Sequence, residues 1–298
     1  MITVLMPAHS YHKWIEPAIE SVLASDTEFP FELTVLANNM TESDLLKLEE
    51  FSNHKRFNVL SLGNKTLSQC LNEGLIKSEH DLIARFDSDD LMHRNRLQLQ
   101  ASFMLKHPNV SVLASGVKLI NEFGEVTGSR VPPLTHREIK HTLRYGNCIV
   151  HPSIMYRRAQ VLQAGGYTDN YLHAEDFDLY TRMIDKYEFA GENMELTSYR
   201  IFPDQISSKY SELQLSSSIQ ILQHGRKTKN QFIVFKRNLN TSVLKLRQEK
   251  YENGSGLVRL VMLLALNLLL SPIATFDFLK YSVRNLCRRV FLTREIVN

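Results

Sequence analysis

Short apolar runs alternate with helix-period segments through the first 116 residues, and this alternation constrains the fold more than any other feature. Residues 2–6, 31–36, 57–60, 82–86 and 110–114 have the length and composition of buried strands. Between them, residues 14–24, 43–51, 66–76 and 94–106 place apolar side chains at i, i+3, i+4 spacing. Strand–helix–strand units of one sheet cross over right-handed, so the expected fold is α/β with a mostly parallel sheet and helices on both faces. Ligands of such sheets bind beyond the carboxyl ends of the strands.

Polar, small and acidic residues stand at those ends. Pro7-Ala8-His9-Ser10 follows the first strand, Ala37-Asn38-Asn39 the second, and Asp87-Ser88-Asp89-Asp90 the fourth. From Val117 the pattern changes to a hairpin over 117–126, then helices over 135–145, 158–164 and 175–186. Beyond Pro203 it reads as helix through 205–223 and 231–250.

The chain has 298 residues, 43% apolar and 22% charged, enough for one large domain with an appendage. A net charge of +3 argues against nucleic-acid binding, and the basic excess lies in the tail, where 244–298 holds nine Lys/Arg against four acids. Cys70, Cys148 and Cys287 have no metal-ligand spacing and fit free thiols in a reducing cytosol. The N-terminus reads as a strand rather than a signal peptide.

Three carboxylates at one strand end, Asp87, Asp89 and Asp90, repel one another unless a cation sits among them. Mg²⁺ or Mn²⁺ takes such oxygen ligands and adds those of a diphosphate. Asp and Ser equally favour solvated turns and helix caps, so both readings stand. A second cluster, His173-Ala174-Glu175-Asp176-Phe177-Asp178-Leu179, suits a general base that takes a proton from an attacking hydroxyl. Acids in a helix's first turn are also favoured by the dipole alone.

Taken together, the ordered motifs resemble glycosyltransferase family 2. Val4-Leu5-Met6-Pro7-Ala8 is similar to the family's opening strand, and Ile15-Glu16-Pro17-Ala18-Ile19 to the helix after it. Leu71-Asn72-Glu73-Gly74-Leu75, Ile83-Ala84-Arg85-Phe86-Asp87-Ser88-Asp89-Asp90 and Arg94-Asn95-Arg96-Leu97 follow. Gly146-Asn147, His151-Pro152-Ser153, Gly165-Gly166-Tyr167 and Ala174-Glu175-Asp176-Phe177-Asp178-Leu179 complete the order. The likeness covers residues 1–208. It implies a GT-A, Rossmann-like fold with a nucleotide-sugar half (1–116), an acceptor half (117–208) and a C-terminal helical extension (209–298).

The resemblance also implies roles. Asp87 would contact the donor ribose and, with Asp89, hold a divalent Mn²⁺ or Mg²⁺, supported by Asp90. Pro7, Ala8, His9, Asn38, Lys65, Arg85 and Ser88 would line the donor site. Asp176 would be the general base, Glu175 would orient the acceptor, and His151, Gly166 and Tyr167 would lie on the acceptor side. Read from the residues alone, His9 and Lys65 equally suit solvated loops, Arg85 a structural ion pair and His151 the core. Two departures stand out. Ala37 occupies the place of the family's base-contacting Asp, so Asn38 is the substitute and the base stays open. Phe202 stands where relatives often carry a metal-reaching His.

Residues 257–270 are nearly all aliphatic, but a helix of that length spans about 21 Å, short of the ~30 Å hydrocarbon core. With the basic, amphipathic stretch that follows, 257–292 reads as an interfacial membrane anchor, with a buried helix or dimer contact as the alternative. The expected function is inverting, metal-dependent transfer of a hexose or N-acetylhexosamine from a nucleotide diphosphate sugar, UDP first, to a hydroxyl of a lipid-linked oligosaccharide. The protein would then lie in the cytoplasm on the inner face of the membrane, and an oligomer is compatible. The rival readings are a sugar nucleotidyltransferase, disfavoured by the lack of glycine in Met6-Pro7-Ala8-His9-Ser10, and a silent membrane-bound scaffold.

Overall fold

The computed structural model of the chain describes residues 1–203, 205 and 209–224. Its first half follows the expected alternation: β1 (Ile2–Ala8), α1 (Ile15–Leu23), β2 (Phe31–Asn38), α2 (Glu42–Glu49), β3 (Phe57–Leu62), α3 (Leu67–Lys77) and β4 (Leu82–Arg85). α1 buries Ile15, Ala18, Ile19 and Val22, the i, i+3, i+4, i+7 stripe that its sequence carries. α2 and α3 each open with a capping box, Thr41 with Asp44 and Thr66 with Gln69. A cap of this kind is worth about 1 kcal/mol. β1 pairs in parallel with β2 and β4, and β2 with β3. The register sets Ala8 beside Ala37 and Leu5 beside Arg85, so the three strand ends open on one edge.

The second half contains β5 (Leu91–Met92), α4 (Arg96–Lys106), β6 (Val110–Ile120), β7 (Val126–Arg130), α5 (His136–Thr142), a single 3₁₀ turn at His151–Ser153, β8 (Ile154–Arg157), α6 (Arg158–Gln163), α7 (Glu175–Met183), β9 (Glu188–Arg200) and α8 (Ser211–His224). Across the sheet the order is β3-β2-β1-β4-β8-β6-β9-β5, with β7 beside β6. The parallel ladder runs from β3 to β4. Beyond it β8 is antiparallel to both β4 and β6, β9 is parallel to β6, and β5 is antiparallel to β9. The α/β class holds, and the sheet is mixed in its second half. β6 is one strand of 11 residues, continuous from the expected strand into the expected hairpin with β7.

β8 and β9 are strands that periodicity did not reveal. β9 reads Glu188-Phe189-Ala190-Gly191-Glu192-Asn193-Met194-Glu195 at its start, a run without strand alternation, and β6 recruits it through a ladder with three register shifts. Pairing across the sheet overrides local preference there. Arg96 ties the halves together. Fully buried, it spends all five N–H donors: Nε on Gln100 Oε1 (3.0 Å), Nη1 on Pro152 O (2.6 Å) and Thr197 Oγ1 (3.1 Å), and Nη2 on Arg85 O (2.9 Å) and Ile154 O (3.0 Å).

Met1–Ile221 forms one compact unit and Leu222–Asn298 a second. The helix expected over 231–250, the stretch 257–292 and Cys287 lie outside the described residues. Among the described residues, Cys70 and Cys148 are free thiols, and no helix is long and apolar enough to cross a membrane.

Candidate active site

The loop between β4 and β5 carries Asp87, Asp89 and Asp90, whose carboxylate oxygens lie within 4.8 Å of one another. At that separation each pair of negative charges repels by about 3 kcal/mol at an effective dielectric near 20. Burial, and then the Asp87 charge, push Asp89 up to about 7. The same causes, with Asp89 added, hold Asp90 well above the ordinary carboxylate range. Asp90 is fully buried, and its Oδ2 meets no hydrogen-bond partner among the described residues. Such a cluster needs protons or a cation. Its all-oxygen donor set and orphaned Oδ2 fit a hard divalent ion of the Mg²⁺ or Mn²⁺ kind.

Three side chains hold this loop. Arg200, at the end of β9, donates its main-chain N–H to Asp90 Oδ1 (2.8 Å) and its Nε to the Asp89 carbonyl (2.8 Å). Its Nη1 reaches the Asn121 and Glu122 carbonyls, and its guanidinium lies 5.1 Å from the Trp14 ring. Arg85 is buried with Nη1 2.5 Å from Asp87 Oδ2, an ion pair off the hydrogen-bond line. Burial alone would lower the Arg85 pKa, and the charge and contact of Asp87, with Tyr167 and Asp90, together outweigh it and raise it. His12 accepts the Trp14 N–H at Nδ1 (3.3 Å), so its proton sits on Nε2, 3.1 Å from Ser88 Oγ. Burial first, then His9 and Arg200, lower His12 to about 4, so the ring is neutral near pH 7. Phe202 packs on Trp14 at 4.5 Å between centroids, an apolar use of the position where a metal-reaching His was expected.

At the neighbouring strand ends, Pro7 is half-buried, Ala8 and Ala37 are buried and His9 is exposed. The Asn38 amide is locked onto the Lys65 main chain, with Nδ2 donating to Lys65 O (2.8 Å) and Oδ1 accepting from Lys65 N (3.0 Å). Lys65 Nζ pairs with Glu73 at 3.1 Å. Asn38 therefore fixes the loop between β3 and α3 and keeps one N–H and one lone pair in reserve.

Glu175 and Asp176 open α7. Asp176 Oδ2 accepts from Asn147 Nδ2 (2.7 Å) and Oδ1 from the Phe177 N–H (2.7 Å). Burial raises both acids, and Asp176 beside it takes Glu175 to about 7. Glu175 feels the Asp87 charge, and both acids feel Arg85, so the buried guanidinium lies within electrostatic reach of both acidic clusters. Behind them, His151 Nε2 and Tyr167 OH are 2.9 Å apart, both buried. Gly166 has φ +64°, and Asn72 straps the turn by donating to Tyr167 O (2.8 Å) and accepting from Tyr167 N (2.9 Å). Tyr167, Gly166 and His151 are thus buried, and the Asn72 strap holds their turn in place.

A family model described as "Glycosyl transferase family 2" matches residues 3–166. The O-antigen biosynthesis glycosyltransferase WbnJ of Escherichia coli is 33% identical over 208 residues, 67% of this chain and 80% of that one. The chain belongs to glycosyltransferase family 2. This family 2 glycosyltransferase is also similar to the E. coli UDP-Glc:alpha-D-GlcNAc-diphosphoundecaprenol beta-1,3-glucosyltransferase WfgD, 26% identical over 72% of this chain and 82% of that protein. Its fold resembles the mannosyltransferase PcManGT from Pyrobaculum calidifontis, solved with GDP-Man and Mn²⁺, at a TM-score of 0.59 and 14% identity, covering 98% of this chain and 83% of that one.

Sequence reasoning missed four residues that shape the site of this glycosyltransferase. Arg200 and His12 hold the acid loop, Asn147 holds Asp176, and Trp14 carries Arg200 and Phe202. The only signal available was position: His12 and Trp14 follow the first strand, and Asn147 lies in a matched motif.

Proposed function

We propose that this glycosyltransferase moves a hexose or N-acetylhexosamine from a UDP-sugar, with inversion, onto a hydroxyl of a lipid-linked oligosaccharide during surface-polysaccharide synthesis. The observation that carries the reading is that the Asp87-Asp89-Asp90 loop and the Glu175-Asp176 helix start both lie within electrostatic reach of the buried Arg85, which pairs with Asp87. A donor diphosphate belongs at the first cluster and an attacking hydroxyl at the second. The names of WbnJ and WfgD support the polysaccharide and lipid-linked acceptor class, and WfgD a UDP donor. The GDP-Man of PcManGT warns that the fold alone does not select the base.

Asp89 and Asp87 would hold the divalent ion, with Asp90 neutral or charged behind them. A bound ion of this kind offsets the charge that develops on the departing nucleoside diphosphate. Asp176 takes the acceptor proton as the hydroxyl oxygen attacks C1 of the donor sugar. The C1–O bond to the diphosphate breaks, and its electron pair leaves with the nucleoside diphosphate. One displacement inverts C1 and needs no nucleophilic side chain. A raised pKa makes Asp176 a stronger base, while Asn147 and the Phe177 N–H fix its plane and leave a lone pair for the proton. Glu175 orients the acceptor. The catalytic unit would be 1–208, and the basic stretch 257–292 would keep it at the cytoplasmic membrane face, where such acceptors lie.

The test is a thermal-shift screen of the full chain with UDP, GDP, CDP and dTDP, with and without Mn²⁺, followed by NMR of the product's anomeric carbon. A shift greatest for UDP with Mn²⁺, and inversion in the product, are expected. Retention of configuration would sink the single displacement, and a larger shift with GDP would reassign the donor.

A further inference from the structure

The start of α7 is held from outside the family-matched region, by the face of α8 and the residue before it. His173 has φ +61°, a left-handed conformation that is unfavourable for a residue with a Cβ and persists when the surroundings hold it. The restraints are specific. The His173 carbonyl accepts from Gln214 Nε2 at 2.9 Å, and the Leu172 carbonyl accepts from Ser217 Oγ at 2.9 Å. The His173 ring stacks on Tyr210, centroids 4.5 Å apart and planes at 8°. Positions 210, 214 and 217 follow i, i+4, i+7 spacing, one helix face closing on one strained turn. The same segment is tied back to β9, where Gln205 Nε2 donates to Tyr199 OH at 3.1 Å. Tyr199 precedes Arg200, the residue that holds the acid loop.

The geometry points to Tyr210, Gln214 and Ser217 as positioning residues that aim the Asp176 carboxylate, so that the first helix of the C-terminal extension is part of the catalytic apparatus. This rests on Asp176 as the general base. The clamp holds the residues three and four positions before Asp176, and among the described residues its contacts fall on neither Asp87 nor Asp89, so it acts on proton removal and leaves donor binding alone. A small displacement of a catalytic group lowers turnover steeply, which makes kcat the sensitive readout.

The experiment compares the full chain with the double variant Tyr210→Leu/Gln214→Ala and with Tyr210→Phe, which keeps the ring stack. Expected for the double variant are a kcat loss of about tenfold or more, an unchanged UDP-sugar KM, and faster amide hydrogen exchange at residues 174–177. Tyr210→Phe is expected to match the parent in all three. Unchanged kcat and exchange in the double variant, or a loss in Tyr210→Phe as large as in the double variant, would overturn the proposal. If the double variant does not fold, Gln214→Ala and Ser217→Ala singly carry the same readouts. Asp176→Asn is measured alongside. Full turnover in that variant would dispose of the base assignment, and the exchange data would then decide the clamp alone.

Discussion

The main-chain N–H of Arg200 and the Oδ1 of Asp90 meet at 2.8 Å across 110 positions of sequence. The bond joins the last residue of β9 to the loop after β4, and it is buried. The other Asp90 oxygen has no partner among the described residues, and burial with Asp87 and Asp89 holds its pKa well above the ordinary range. Asp90 is therefore tied to Arg200 by an acceptor that an amide can copy.

Asp90→Asn is accordingly expected to keep stability within about 1 kcal/mol, because Oδ1 still accepts from Arg200. Asp90→Ala leaves the Arg200 N–H buried and unpaired and is expected to cost about 1–3 kcal/mol. Urea denaturation of the two variants checks the ordering, and an equal loss in both would refute it.

Asp89 and Glu175 are each pushed up to about 7, by burial first and then by the neighbouring Asp87 and Asp176 respectively. Between about pH 4 and about pH 7 the folded protein binds protons that the unfolded chain has released. The stabilisation is present below the unfolded pKa and is lost as pH rises through about 7. The contribution of these groups to the metal-free Tm is therefore expected to fall between about pH 4 and about pH 7 and to level off above that, and Asp89→Asn to flatten that slope. Mn²⁺ affinity should weaken as pH drops below about 7, because protons compete for the same oxygens. Differential scanning calorimetry and Mn²⁺ titration across that range measure both, and a slope unaltered in Asp89→Asn would contradict the assignment.

Asp176→Asn is expected to lower kcat by about 10²–10⁴ while nucleotide affinity stays at the parent value. Asn147→Ala removes a hydrogen bond to the charged carboxylate, which raises the Asp176 pKa further. The acid limb of its kcat profile should move to higher pH, since the base then stays protonated longer. Steady-state rates at a series of pH values test this, and an unmoved limb would separate Asn147 from Asp176.

Gly166→Ala is expected to destabilise the turn at Gly165-Gly166-Tyr167. A Cβ there would lie 2.5 Å from Asn72 Oδ1, at φ +64°, so the Asn72–Tyr167 strap must open. A loss of about 1–3 kcal/mol is the scale of such strain with one broken hydrogen bond. Thermal unfolding checks it, and parental stability would mean the strap is not needed.

The first half of the sheet was legible because its signals are local. Period-2 and period-3.6 runs specify β1 to β4 and their helices, and right-handed crossovers then oblige the Asp87 loop, Ala8 and Asn38 to share one edge. The acids at 87, 89, 90, 175 and 176 were visible as chemistry for the same reason. β8 and β9 were not, because a strand is fixed by its partner, and the run from Gly191 to Glu195 becomes a strand only against β6.

The α/β class, the family resemblance and the acidic residues at the strand ends are all written in local stretches of the chain. What holds them is set only in the folded sheet: Arg200 on Asp89 and Asp90, His12 on Ser88, and Tyr210 on His173. Those contacts span dozens to more than a hundred positions. Hydrogen bonds and ring stacks over such separations leave no periodic trace in a chain, since only the folded sheet brings the partners within reach.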